Sequence, residues 1–237
     1  PMTLFDSLAQ FFADWGAQLA STFLEKQRYL MLVDGLRNTL VITLGALAIG
    51  VVIGALIAII KYCGEGSRWM KPLYVLCDLY TTVIRGIPVV VVLLIFYFLI
   101  LRSSDGIVVG IVTFGINSGA YMAELIRGGI NAVDNGQMEA GRSLGMSKLQ
   151  AMRKIIFPQA LRYILPAIGN EFVTMIKETA VVQYLGITDL MYNNGIVVTS
   201  TYNPLPCYYI SAIIYLILNL VMGHGIDLFE RRLRNSD

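Results

Sequence analysis

The chain has 237 residues, is 56% hydrophobic and only 14% charged, and has a mean hydropathy of +0.66. Soluble domains carry about 25% charged residues, so a soluble chain this apolar could not cover its own surface; part of its solvent must be lipid. Three scattered cysteines (Cys63, Cys77, Cys207) and one histidine, His224, give no basis for a disulfide framework or a zinc site. The cysteines read as buried, inert thiols, and the net charge of +2 carries little information.

Residues 1–30 contain acids and lack the continuous apolar core of a secretory signal peptide. They read as an amphipathic interfacial helix with Phe5, Phe11, Phe12, Trp15 and Phe23 toward lipid. The first crossing is Asn38–Ile60, an uncharged stretch long enough for a hydrocarbon core of ~30 Å. Gly50 and Gly54 within it form a small-xxx-small pair that admits a close neighbour helix. The second crossing, about Pro72–Leu101, is too long to be straight and carries Asp78, Arg85 and Pro88; Gly86 and Pro88 should break it beside Arg85. The third is about Gly106–Ile126, the fourth about Leu165–Ile187 and the fifth about Cys207–Leu228. The expected architecture is all-α: a polytopic membrane helical bundle with about five transmembrane helices, spanning residues 31–230, with a cytoplasmic tail at 231–237.

Orientation follows from lysine and arginine. Lys61, Arg68 and Lys71 follow crossing one. Arg127, Arg142, Lys148, Arg153, Lys154 and Arg162 follow crossing three, and Arg231, Arg232 and Arg234 end the chain. These lie on one side. The other side has Lys26, Arg28, Arg37 and Arg102. The richer side is cytoplasmic, so the N-terminus faces outward and the C-terminus inward.

The cytoplasmic loop, about 131–162, reads as two short helices. Gln137–Leu144 forms the first and Gly145 stops it in a left-handed conformation. Ser147 with Gln150 then makes a capping box for the second. A short helix with Ala140, Gly141 and Ser143 on one face and Glu139 and Arg142 elsewhere suits docking into a partner's groove; an ordinary connecting loop is the alternative.

The set Glu139-Ala140-Gly141, Gly145 and Ile156-Phe157-Pro158 resembles the EAA loop of permease subunits in ATP-binding-cassette importers. Arg85-Gly86-Ile87-Pro88, Asn117-Ser118-Gly119-Ala120-Tyr121 with Glu124, Arg127-Gly128-Gly129-Ile130, Pro158-Gln159-Ala160-Leu161-Arg162 and Gly169-Asn170-Glu171-Phe172 with Lys177-Glu178-Thr179 resemble the polar-amino-acid branch. Departures are Gly141 for a second Ala, Ile87 for Thr and Phe157 for Leu. The resemblance implies a subunit of the bacterial plasma membrane that moves a polar amino acid inward. It also implies a second permease subunit, two ATPase subunits that bind ATP and Mg, and an extracytoplasmic substrate-binding protein. The ATPases would dock on Glu139, Ala140, Gly141, Arg142 and Gly145. The chain itself has no G-x-x-x-x-G-K-[ST] stretch, so it is expected to be a transport subunit, not an enzyme, and to hold no cofactor or metal.

Ionisable groups at bilayer depth cost at least ~2.5–3.5 kcal/mol each and usually face a cavity or a partner. Arg85 can grip a carboxylate bidentately and Glu171 can accept from an ammonium; an α-amino acid presents both groups. The resemblance puts Arg85, Glu171 and Lys177 in the substrate cavity. Asn117 and Tyr121, with Ser118 beside them, can add neutral polar contacts. The alternative is that these charges pair with one another and hold the bundle together. Glu124 and Glu178 read as structural or gating, Asp78 as structural, His224 as packed, and Tyr192, Tyr202, Tyr208 and Tyr209 as an outer aromatic belt. An ion-coupled carrier or channel is the rival function.

Overall fold

The computed structural model describes residues 4–102 and 104–234, with side chains described for 6–102 and 104–232; Phe5 and Arg234 lie outside the described side chains. Helix follows helix, and no strand occurs among the described residues.

Helix α1 (Leu4–Phe23) exposes Phe11 and Phe12, while Trp15 stands edge-on to Tyr209 at 6.1 Å. Phe23 does not face lipid as expected. It is buried with Leu32, Leu190, Val197 and Cys207, because the chain reverses just after it. Lys26 and Gln27 take positive φ there, and Arg28 Nη1 donates to the Ser21 and Thr22 carbonyls at 3.3 and 3.0 Å, capping α1.

Helix α2 (Tyr29–Gly64) contains the first predicted crossing and overruns it at both ends, which brings Lys61 into the helix. Leu44, Val52, Leu56 and Ile59 stand exposed for lipid, while Ile42, Ala46, Ile57 and Ala58 are buried. Helix α3 (Lys71–Gly86) and α4 (Val89–Ile95, prolonged by a π turn over Phe96–Ile100) meet at 106°. The break is local chemistry: Ile87 is extended (φ −105°, ψ 133°), as a residue before proline prefers, and Pro88 has no N–H to continue the ladder.

Helix α5 (Gly106–Asn131) starts at an Asp105 cap and packs along α2. Gly50 and Gly54 lie in that seam: a Cβ on Gly50 would sit 2.8 Å from Ser118 Oγ, and one on Gly54 would collide with Met122. Helix α6 (Asn135–Ser143) and α7 (Lys148–Ala151) form the loop. Helix α7 runs through a π turn at Met152–Ile156 into α8 (Phe157–Glu178), which ends in a 3₁₀ turn at Thr179–Leu185. Helices α9 (Leu190–Thr201) and α10 (Pro204–Arg234) complete the chain.

By length and composition α2, α5 and α10 can each cross a membrane, and the bent α3–α4 pair makes a fourth if it is one broken span. The predicted crossing at Leu165–Ile187 differs. Its α-helix begins earlier, at Phe157, stops at Glu178, and carries Arg162, Glu171, Lys177 and Glu178. Those charges take it out of the apolar class. Two cysteines, Cys77 and Cys207, are buried; Cys63 is exposed, contrary to expectation.

Candidate functional site

The break between α3 and α4 opens a cavity of about 310 Å³ lined by Arg85, Gly86, Ile87, Pro88, Val89, Asn117, Tyr121 and Glu178. The volume is at the small end of ligand pockets. Arg85 is the last side chain before the break, and its guanidinium carbon lies 5.4 Å from the Tyr121 ring centroid, in cation–π range. Asn117 and Tyr121 are one turn apart on α5 and reach the cavity together, with Asn117 only 5% exposed. Glu178, at the end of α8, supplies the opposite charge. A cation, an anion and two neutral polar groups thus surround one small space.

Three residues picked from the sequence are not among the lining residues. Ser118 is buried and turned toward Gly50 in the α2–α5 seam. Glu171 is half-buried two turns before Glu178 on the same face of α8, and Lys177 is exposed on a different face. Glu178, read from sequence as structural or gating, is in the lining instead. The i, i+7 spacing of Glu171 and Glu178 was the available signal; which of the two meets the cavity depends on how α8 packs against α5, and periodicity does not report that.

A second ionic cluster lies nearer the C-terminal ends of α2 and α5. Lys61 Nζ is 2.9 Å from Asp78 Oδ1, 3.0 Å from Glu124 Oε1 and 3.1 Å from Thr81 Oγ1; Arg127 Nη2 is 2.7 Å from Glu124 Oε2. Lys61 is 4% exposed and Asp78 56%. The sequence placed Lys61 in a solvated loop. Helix α2 continues past Ile60 and turns it inward between α3 and α5, where two carboxylates and a hydroxyl satisfy its donors. Glu124 and Asp78 therefore have ion-pair roles in the helix packing. His224, read as packed, is exposed, and Tyr202, Tyr208 and Tyr209 are exposed as well. Among the described residues no three His, Cys, Asp or Glu side chains converge on a metal position.

In the loop, α6 is capped by Asp134, whose carboxylate accepts from Gly136 N at 2.6 Å. It ends with Gly145 at φ 83° and the Met146 N to Gly141 O bond at 3.1 Å, the left-handed stop expected at that glycine. Both bonds of the Ser147–Gln150 capping box form, at 2.8 and 3.2 Å. Glu139, Ala140, Arg142 and Gly145 are exposed, but Gly141 is buried against Ile155 and Ala151. Gly141 therefore supports the loop rather than presenting to a partner. Leu144 (78% exposed) and Leu149 (74%) are bare apolar tips that the sequence reading missed.

Residues 50–235 match the family described as the binding-protein-dependent transport system inner membrane component. The chain belongs to that family. It is a permease subunit of an ATP-driven importer in the inner membrane, and the ATPase is a separate chain. The "probable glutamine ABC transporter permease protein GlnM" of Bacillus subtilis (strain 168) is 35% identical over 211 residues, which cover 88% of this chain and 95% of that one. The arginine transport system permease protein ArtQ of the same organism is 35% identical over 210 residues, covering 87% and 94%. A crystal structure of an amino acid ABC transporter with histidines superposes with a TM-score of 0.82 at 42% identity, covering 89% of this chain and 98% of that chain. The inward-facing MetNI methionine transporter, at 22% identity and a TM-score of 0.73, shares the fold. Family membership implies an ATPase, a substrate-binding protein and a second permease as partners.

Proposed function

We propose that the chain carries a polar amino acid inward and that the Arg85 cavity holds it. The observation that carries this is that Arg85, Glu178, Asn117 and Tyr121 line one cavity of about 310 Å³ at a helix break. The guanidinium suits the α-carboxylate and Glu178 suits an ammonium, the minimal complement to a zwitterion. Glu171 continues the polar face of α8 away from the cavity, Lys177 adds a charge on a neighbouring face, and Ser118 acts from the seam behind Asn117. Relatives named for glutamine, arginine and octopine permeases support the substrate class.

The pathway forms between two such subunits, identical or similar, with two ATPases on the cytoplasmic loops and a binding protein outside. ATP and Mg sit on the ATPases. Glu139, Ala140, Arg142 and Gly145 face the ATPase, supported by their exposure, while Gly141 holds α6 on α7. The N-terminus is outside and the C-terminus inside, supported by the lysine and arginine excess on the loop side. Helices α7 and α8 form one helical rod from the loop to Glu178, so ATPase closure moves one wall of the cavity. Alternating access needs two states with different contacts to the substrate, and a moving Glu178 supplies them.

Uptake of labelled glutamine, arginine and histidine by the reconstituted complex tests the cavity. Arg85→Ala and Glu178→Gln are each expected to lower uptake at least about tenfold, the loss typical of a charge-assisted contact, with the complex still assembled. Normal uptake by both variants would remove the cavity from the pathway.

A further inference from the structure

Lys61 is buried at the cytoplasmic end of α2, yet its partners belong to two other helices: Asp78 and Thr81 on α3, Glu124 on α5. Asp78 lies seven residues before Arg85 and Glu124 three after Tyr121, so each partner shares a helix face with a cavity residue. The next residue along, Tyr62, lies about 100° further round α2. Its ring receives Lys148 Nζ at 5.1 Å, from the first turn of α7 in the loop. Two adjacent residues of α2 thus touch two of the helices that line the cavity, α3 and α5, and the loop proposed to meet the ATPase.

We propose that Lys61 is a positioning residue for the cavity. It sets the register of α3 against α5, and with it the spacing of Arg85 and Tyr121, and Tyr62 links that register to the loop. The inference rests on the transport function proposed above. The chemistry suits a discrete device rather than a soft contact. A buried ammonium shared by two carboxylates has few alternative arrangements, and loss of one partner leaves charge stranded in low dielectric. The 5.4 Å Arg85–Tyr121 geometry then depends on a group about two turns away that never touches substrate.

The test is uptake kinetics in the complete complex, reconstituted with its ATPase and binding protein and driven by internal ATP. Lys61→Met is expected to raise the half-saturating amino-acid concentration about tenfold, within the range of coupling between linked sites, while the complex elutes intact. Lys61→Arg should restore most of the affinity. Asp78→Asn, at a half-exposed carboxylate that can be lost without unfolding, should raise the half-saturating concentration less and add nothing on top of Lys61→Met. A merely structural role for Lys61 would lower the amount of assembled complex and leave half-saturation unchanged; that result overturns the inference. Should Lys61→Met fail to assemble, an unchanged half-saturation in Asp78→Asn overturns it equally. Absence of ATP-driven uptake by the wild-type complex would instead overturn the functional reading beneath it.

Discussion

Asp189 is a buried carboxylate with one oxygen used and one bare. Its Oδ1 accepts from Tyr192 N at 2.8 Å as the cap of α9, while Oδ2 has no partner among the described residues. Burial pushes its pKa up to about 6 from 3.8. The folded chain therefore holds this proton to a higher pH than the unfolded chain does. Stability falls as pH rises from about 4 through about 6, and the loss, on the order of 3 kcal/mol for a rise of about two pH units, is complete above that. Asparagine caps helices as well as aspartate and carries no charge. Asp189→Asn is expected to raise the midpoint of thermal unfolding by several degrees at pH 7.5 and to leave it unchanged near pH 4. A variant less stable than wild type at pH 7.5 would show that the carboxylate has a charge partner in the fold. The same contrast separates the ionisable residues of the membrane helices. Lys61 is fully partnered and holds helices, whereas Arg85 faces a cavity with Glu178 across it.

At the scale of elements, two features decide what each helix can do. Helix α2 and α5 lie in contact because Gly50 and Gly54 remove the Cβ atoms that would separate them. Gly54→Leu must push Met122 backbone and side chain aside, and overpacking of this kind costs typically 1–3 kcal/mol. The expected result is a lower unfolding midpoint and less assembled complex; an unchanged midpoint would mean the seam is loose. The loop presents Leu144 and Leu149 almost fully bare, on either side of the Gly145 stop. Exposed apolar side chains on a capped turn mark a candidate protein-contact surface. Replacing both with Asp is expected to weaken ATPase retention at least about tenfold, measured by co-purification, while a loop that only connects helices would tolerate the change.

Local rules made these elements legible in the sequence. The Pro88 break, the Gly145 stop and the Ser147–Gln150 box each depend on residues within four positions of one another. What was not legible required distance. Lys61 looks like a loop charge until α3 and α5 are packed beside it, and Leu144 looks like the last turn of a helix until nothing covers it. Glu178 and Glu171 share a helix face, so only the tertiary packing of α8 distinguishes them.

The whole molecule reads as a lever built around a small polar cavity. One continuous helical rod, α7 through α8, runs from the capped loop at Ser147 to Glu178. A bent pair, α3 and α4, holds Arg85 at its elbow, and α2 with α5 makes the rigid spine between them. Leucines and valines along α2 and α10 are exposed, as a chain that crosses a bilayer permits. On the proposed function, ATPase closure at the loop would reach the cavity along helices rather than through flexible connections. The carrier reading is excluded by the family, whose members are permease subunits of ATP-driven importers.

The most direct measurement is amino-acid uptake into proteoliposomes holding the full complex, with the binding protein outside and ionophores collapsing every ion gradient. Uptake that requires internal ATP and is lost in Arg85→Ala is the predicted result. Uptake that proceeds without ATP, or that is indifferent to Arg85, would contradict it.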